Sequence, residues 1–162
     1  MDLNYTVQNE INIREVLREH FGISNRLLLK LKKNKKIYIN NSNNIYLDMA
    51  VKENDLIKIN LDFEEDNSNI VPTKMDLKIL YEDECLLIID KPPHMPVHPS
   101  LNHYENSLSN GVKYYFDSIN LHRFIRPINR LDKDTSGIVM FAKNEYIQSR
   151  LTNYTKEYIA IV

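Results

Sequence analysis

The apolar residues of this 162-residue chain come in short runs, and this feature constrains the fold most. The longest runs cover residues 86–89 and 138–142, which is the length of a buried β-strand. A membrane-spanning helix needs about 20 apolar residues, so we expect no segment to span a bilayer. Because 43% of the residues are hydrophobic, the chain can form a core, and the pattern predicts an α+β protein.

The N-terminus and the cysteine content bear on the cellular compartment. Residues 1–5 contain neither a basic start nor an apolar stretch, so nothing there predicts a secretory signal. Cys85 is the only cysteine, which excludes a disulfide within this chain and a cluster of thiolate metal ligands. We therefore expect a cytoplasmic protein without a bound metal.

Two amphipathic helices are predicted near the start of the chain. The first covers residues 13–21, with Asn12 as its N-cap and Gly22 as its stop. The second begins after Ser24 and turns three leucines inward: Leu27, Leu28 and Leu31. Its opposite side carries three basic residues at i, i+4 and i+7 spacing: Arg26, Lys30 and Lys33.

Short strands joined by asparagine-rich turns are predicted next. The strands cover residues 37–39, 45–47 and 56–59. The chain has only three glycines, and Asn is the next residue most tolerant of positive φ. Asn41 and Asn54 are therefore expected where glycine would otherwise stand.

Residues 1–61 are predicted to form a first domain, which resembles the small RNA-binding domain of the ribosomal-protein-S-four type. The resemblance covers residues 11–61 and rests on the segments 24–28, 37–40 and 54–59. It implies that the basic helix face binds RNA phosphates. The alternative is that a lysine-rich face is ordinary solvated surface, since the net charge of the chain is only −1.

A linker and a second domain are predicted after the first domain. Residues 62–75 are polar and acidic and contain Pro72, which is typical of a linker. The second domain covers residues 76–162. Its predicted strands are residues 77–83, 86–89, 138–142 and 158–162, with a helix at residues 145–154.

The chemistry is carried by the sequence Arg-Leu-Asp-Lys-Asp-Thr-Ser-Gly at residues 130–137. With the apolar strand that follows, it resembles the signature of the RluA-type pseudouridine synthases. Further motifs of that family occur in the same order at residues 79–92, 95–99 and 156–160. One departure is Asn129, where the family commonly has His.

The resemblance implies the first part of a mixed, mainly antiparallel sheet domain that isomerises uridine in RNA without a cofactor. Asp132 would be the catalytic group, either as a nucleophile or as a base. Arg130 would enter the base stack left by the flipped uridine, Tyr158 would pack on the uracil, and Thr135 would shape the turn. Either Arg130 or a basic residue after Val162 would accompany the Asp132 charge.

The family continues well past the Lys-x-Tyr motif, so we expect a substantial C-terminal part of the catalytic domain to lie outside these 162 residues. The chain by itself could then be an RNA-binding protein with an incomplete, inactive synthase domain. The expected partner is RNA, with ribosomal RNA favoured over transfer RNA, and the expected state is a monomer away from membranes.

Two other classes of site fit part of the pattern. Residues 132–135 also fit the Asp-x-Asp-x-Thr motif of haloacid-dehalogenase-like phosphatases, but there the apolar strand precedes the motif, whereas here it follows. His94 and His98 have the spacing of a helical zinc motif. Pro96 and Pro99 argue against a helix in that segment.

Overall fold

A computed structural model describes residues 1–101 and 103–160. Contacts divide the chain into two compact units, Met1–Glu64 and Glu65–Val162, and each is described by itself. The helices of the described residues are short, and the longest, of 11 residues, could not cross a membrane.

The first unit is a small antiparallel sheet with two helical segments. Its elements in chain order are β1 (Asp2–Thr6), β2 (Ile11–Asn12), α1 (Ile13–Glu15) with a π-helical continuation (Val16–His20), α2 (Asn25–Lys33), β3 (Ile37–Ile39), β4 (Ala50–Val51) and β5 (Leu56–Asn60). The main sheet has the order β1-β5-β3, and β2 pairs with β4. The core joins the helices to the sheet through Leu17, Leu31, Ile57 and Ile59, all fully buried.

Both predicted helices of this unit are confirmed, with one difference in the first. The side chain of Asn12 accepts a hydrogen bond from the Arg14 N–H (2.9 Å), as expected of an N-cap. Only Ile13–Glu15 is α-helical, however, and the next turn is π-helical, with the Phe21 N–H donating to the Val16 carbonyl. The rings of His20 and Phe21, at the end of this turn, both contact the ring of Tyr5.

Helix α2 forms as predicted. The Ser24 hydroxyl oxygen accepts a hydrogen bond from the Leu27 N–H (3.2 Å), which fixes the start of the helix. The three leucines of its inner face are buried: Leu27, Leu28 and Leu31. Arg26 and Lys33 are exposed and Lys30 is half-buried on the other side.

The strand predictions in this unit are partly right. Residues 37–39 and 56–59 lie in strands, but residues 45–47 do not, since Tyr46 stays 69% exposed and has no strand partner. The apolar pattern does not predict strands β1, β2 and β4. Asn41 (φ 70°) and Asn54 (φ 69°) do adopt the left-handed conformation that the scarcity of glycine suggests.

The second unit contains one four-stranded antiparallel sheet, which agrees with the predicted α+β class. Its elements are β6 (Ile79–Glu82), β7 (Leu86–Lys91), α3 (Leu108–Ser118), β8 (Arg126–Pro127), β9 (Gly137–Ala142) and α4 (Glu145–Arg150), and the strand order is β6-β7-β9-β8. One core joins β7 and β9 to α3, through Leu87 and Phe141 on the sheet and Val112 and Phe116 on the helix.

Most of the segment 65–75, predicted from its composition to belong to a linker, packs within the second unit. The Glu65 carboxylate and the Arg126 guanidinium form a buried, bidentate ion pair, with both N–O distances 2.6 Å. The side-chain amide of Asn110 donates to the Val71 carbonyl (2.8 Å). The buried Arg126 guanidinium therefore compensates the negative charge of Glu65, which the acidic composition of the segment does not indicate.

The end of the described chain differs from the prediction. Helix α4 ends at Arg150, and residues 158–160 do not form the predicted strand. Because no described strand pairs with them, Tyr158 is 61% exposed and Ile159 is fully exposed. Ile161 and Val162, which complete the predicted strand, lie outside the described residues.

Candidate active site

The loop that carries Asp132 connects β8 to β9, so its two ends are held by neighbouring strands of the sheet. Asn129 fixes the loop further. Its side-chain amide donates to the Ile138 carbonyl and its amide oxygen accepts from the Met140 N–H, both at 2.8 Å. The side chain is buried and acts as an extra strand partner for β9. The residue that departs from the family motif therefore holds the loop in place.

Replacing Asn129 with Ala should destabilise the second unit by about 2 kcal/mol, because two backbone groups of β9 lose their hydrogen-bond partner. Urea denaturation measures the change. Asn153→Ala is the matched control, since Asn153 is exposed, and should change the free energy of unfolding by less than about 0.5 kcal/mol. Equal stabilities of the two variants would contradict this role.

The loop itself is a tight turn followed by a glycine. The Thr135 N–H donates to the Asp132 carbonyl (3.2 Å), which closes the turn. Gly137 then begins β9 with a backbone φ of +127°, a conformation that residues other than glycine rarely adopt. The Asp132 and Arg130 side chains are exposed, so both are accessible to a macromolecular substrate.

A cleft of about 790 Å³ lies beside this turn. One wall contains Thr135, Gly137 and Ile138, and the other is formed by residues 154–159, including Tyr158. The cleft is large enough for a nucleoside. Asp132 and Arg130 are not among the described residues that line it. The structure therefore brings Thr135 and Tyr158 to one cleft, with Asp132 three residues before Thr135 in the adjoining turn.

Lys91 is the residue of this site that sequence reasoning missed. Its side chain is fully buried, and its ammonium group donates to the carbonyls of Met95 (2.8 Å), Pro92 (2.9 Å) and Lys133 (3.1 Å). Burial lowers the pKa of Lys91, and the nearby carboxylates of Asp134 and Asp132 act in the opposite direction. A positive charge thus lies close to both carboxylates within the described residues. The sequence signal that could have identified Lys91 as a site residue is its place at the end of an apolar strand and directly before two prolines.

A second basic group faces Arg130. Partial burial and the positive charge of the Arg130 guanidinium lower the pKa of His98, which favours the neutral imidazole. His98 and Arg130 are therefore close enough for their charges to interact. Within residues 1–101 and 103–160, no group of three His, Cys, Asp or Glu side chains could hold a metal ion.

This arrangement can support chemistry by a carboxylate. The Asp132 carboxylate is accessible and its backbone is fixed by a turn, and the buried Lys91 ammonium donates to the carbonyl of the next residue, Lys133. An ionised carboxylate next to a nucleoside-sized cleft can act as a nucleophile or as a base. The exposed ring of Tyr158 provides an aromatic surface on the opposite wall.

Comparison with known proteins identifies relatives of both parts of the chain. A family model described as RNA pseudouridylate synthase matches residues 85–162. An uncharacterized RNA pseudouridine synthase of Bacillus subtilis is 32% identical over 83% of the chain and 48% of its own length. The ribosomal large subunit pseudouridine synthase D of Blochmanniella floridana is 34% identical over 80% of the chain and 43% of its length.

A third relative, the ribosomal large subunit pseudouridine synthase D of Borreliella burgdorferi, is 29% identical over 98% of the chain and 48% of its length. The chain thus spans about half the length of the curated relatives it matches. The matched residues contain β7, β9 and the loop with Asp132. Residues 85–162, nearly half of the chain, are therefore similar to RNA pseudouridine synthases.

Proposed function

We propose that the natural gene product containing this chain converts specific uridines of structured RNA to pseudouridine, with Asp132 as the catalytic group. The observation that carries the proposal is that the family match includes a fixed turn, on which Asp132 is exposed beside a nucleoside-sized cleft. The reaction detaches the uracil, turns it and rejoins it through carbon five. It is an isomerisation and needs no cofactor.

The substrate-binding roles follow from the same cleft. Tyr158 would pack against the flipped uracil, since its ring is exposed on one wall, and Thr135 would shape the other wall. Arg130 would enter the base stack at the place that the flipped uridine leaves. A side chain stacked there can offset much of the few kcal/mol of free energy that base flipping costs. The Lys91 ammonium would hold the backbone next to Asp132 in place through its hydrogen bond to the Lys133 carbonyl.

The first unit would bind RNA through the basic face of α2, as a domain of the ribosomal-protein-S-four type. Arg26, Lys30 and Lys33 lie on the side of the helix opposite its buried leucines. Ribosomal RNA is favoured over transfer RNA as the substrate, since relatives are named ribosomal large subunit pseudouridine synthases. We further propose that the protein acts in the cytoplasm as a monomer.

A second candidate function is RNA binding by a chain whose synthase domain is incomplete. It is favoured by the exposure of Tyr158 and Ile159, which form no strand, and by the chain spanning about half of its relatives. In this case the 162 residues would bind RNA without isomerising it.

Tritium release from RNA labelled at carbon five of uridine tests the proposed function and shows whether the 162 residues suffice for it. We expect release by the natural gene product and only background release by the 162-residue chain at equal RNA occupancy. Robust release by the 162-residue chain would show that the catalytic unit is complete within it. Absence of release by the natural gene product on ribosomal and transfer RNA from cells lacking the gene would refute the proposed function.

A further inference from the structure

The turn that follows β7 contains a histidine in an unusual backbone conformation. His94 has φ +63°, in the left-handed region where glycine and asparagine are common and histidine is not. Its Nδ1 atom lies 2.8 Å from the Oδ1 atom of Asp134, two residues after Asp132. Both side chains are largely exposed, at 80% for His94 and 72% for Asp134.

The same turn contacts the Asp132 loop through its backbone. The Met95 N–H donates to the Lys133 carbonyl (3.1 Å), and the buried Lys91 ammonium donates to that same carbonyl (3.1 Å). Segment 91–95 therefore makes three contacts with residues 133 and 134. Two of these contacts are hydrogen bonds to the Lys133 carbonyl. The third joins His94 to the side chain of Asp134.

We infer that His94 is a positioning residue, which holds Asp134 and thereby sets the orientation of the Asp132 turn for the reaction. The inference rests on the proposed function. An exposed polar contact contributes little to folding, so the contact between His94 and Asp134 is suited to local orientation rather than to stability. When RNA covers the loop and excludes water, the same contact strengthens.

Two substitutions of His94 separate the side-chain contact from the backbone conformation. His94→Gly accepts the positive φ and removes the imidazole. His94→Asn also tolerates the positive φ, and its Nδ2 atom occupies nearly the place of the imidazole Nδ1, so it can donate to Asp134. His122→Asn is the matched control, since His122 is exposed in another loop of the same unit.

Measured on the natural gene product, His94→Gly should lower kcat about tenfold with little change in KM, because it moves the reacting group and not the RNA contacts. His94→Asn should restore most of the rate, and His122→Asn should behave as wild type. The double variant that combines His94→Gly with Asp134→Ala should lower kcat no more than the single variant with the larger effect, because the two side chains act as a pair. A wild-type rate for His94→Gly, or failure of His94→Asn to restore it, would overturn the inference.

Hydrogen exchange of the loop amides decides the question without activity. In His94→Gly the amide of Thr135, which closes the turn, should exchange about two- to fivefold faster, the factor of one exposed polar contact, and in His94→Asn it should exchange at the wild-type rate. Unchanged exchange in His94→Gly would overturn the inference. If the natural gene product lacked isomerase activity, the proposed function would fail, while the exchange result would still decide whether His94 positions the turn.

Discussion

Asp132→Asn in the natural gene product is expected to reduce isomerisation by about a thousandfold or more, the scale seen when a reacting group is removed. The substitution removes the ionisable carboxylate and almost no volume. An amide can neither attack the substrate as a carboxylate does nor accept a proton at neutral pH. Because Asp132 is exposed, the fold should be unaffected.

Single-turnover tritium release measures the rate, and filter binding measures RNA affinity, which should stay within a few fold of wild type. Asp76→Asn is the matched control, since Asp76 is an exposed aspartate of the same unit at a distance in sequence from the loop. It should retain the wild-type rate. Near-wild-type turnover by Asp132→Asn would exclude Asp132 as the catalytic group.

Replacing Arg26, Lys30 and Lys33 together with Gln is expected to weaken RNA binding by about two orders of magnitude at low salt. The three side chains occupy the outer side of α2. Each phosphate that the protein no longer neutralises lowers the slope of log K against log salt concentration by about one unit. Affinity should therefore fall and its salt dependence should flatten by about 2 to 3 units.

A matched control removes the same charge from elsewhere in the first unit. Arg14, Lys52 and Lys58 lie outside α2, and two of them are paired with acids: Arg14 with Asp48 and Lys58 with Asp2. Replacing these three with Gln should leave the salt slope within about one unit of wild type. Equal effects of the two triple variants would mean that only net charge matters and that α2 is ordinary solvated surface.

The elements predicted correctly from sequence are those whose signals are local. Helix α2 is predictable because Ser24 caps it and its leucines recur at helical spacing. Strands β7 and β9 are predictable because each contains a short apolar run. In these segments the residue pattern and the final packing agree, so the sequence alone suffices.

The elements that the pattern does not predict depend on contacts distant in sequence. Helix α3 buries Ser109, Asn110 and Gly111 beside its apolar residues, which obscures the helical periodicity. Asn110 donates there to the carbonyls of Val71 and Tyr104, and Gly111 lies against Met75, whose side chain would have to shift to admit a Cβ. Partners of this kind cannot be identified before the fold is known.

The same difference between local signals and contacts distant in sequence applies to the candidate site. The family signature predicts which loop carries Asp132, and the structure shows that loop fixed by Asn129 and Lys91. Neither role can be inferred from sequence, because each depends on a hydrogen bond to a residue 9 or more positions away. The roles of Asp132, Arg130, Thr135 and Tyr158 in the reaction remain predictions.

Pseudouridine mapping in cells with and without the gene tests the central claim most directly. We predict that one or more pseudouridines, in ribosomal RNA rather than transfer RNA, are missing from cells that lack the gene. A plasmid copy of the wild-type gene should restore them, and a copy carrying Asp132→Asn should not. An unchanged set of pseudouridines in both RNAs after loss of the gene, or restoration by the Asp132→Asn copy, would contradict the account.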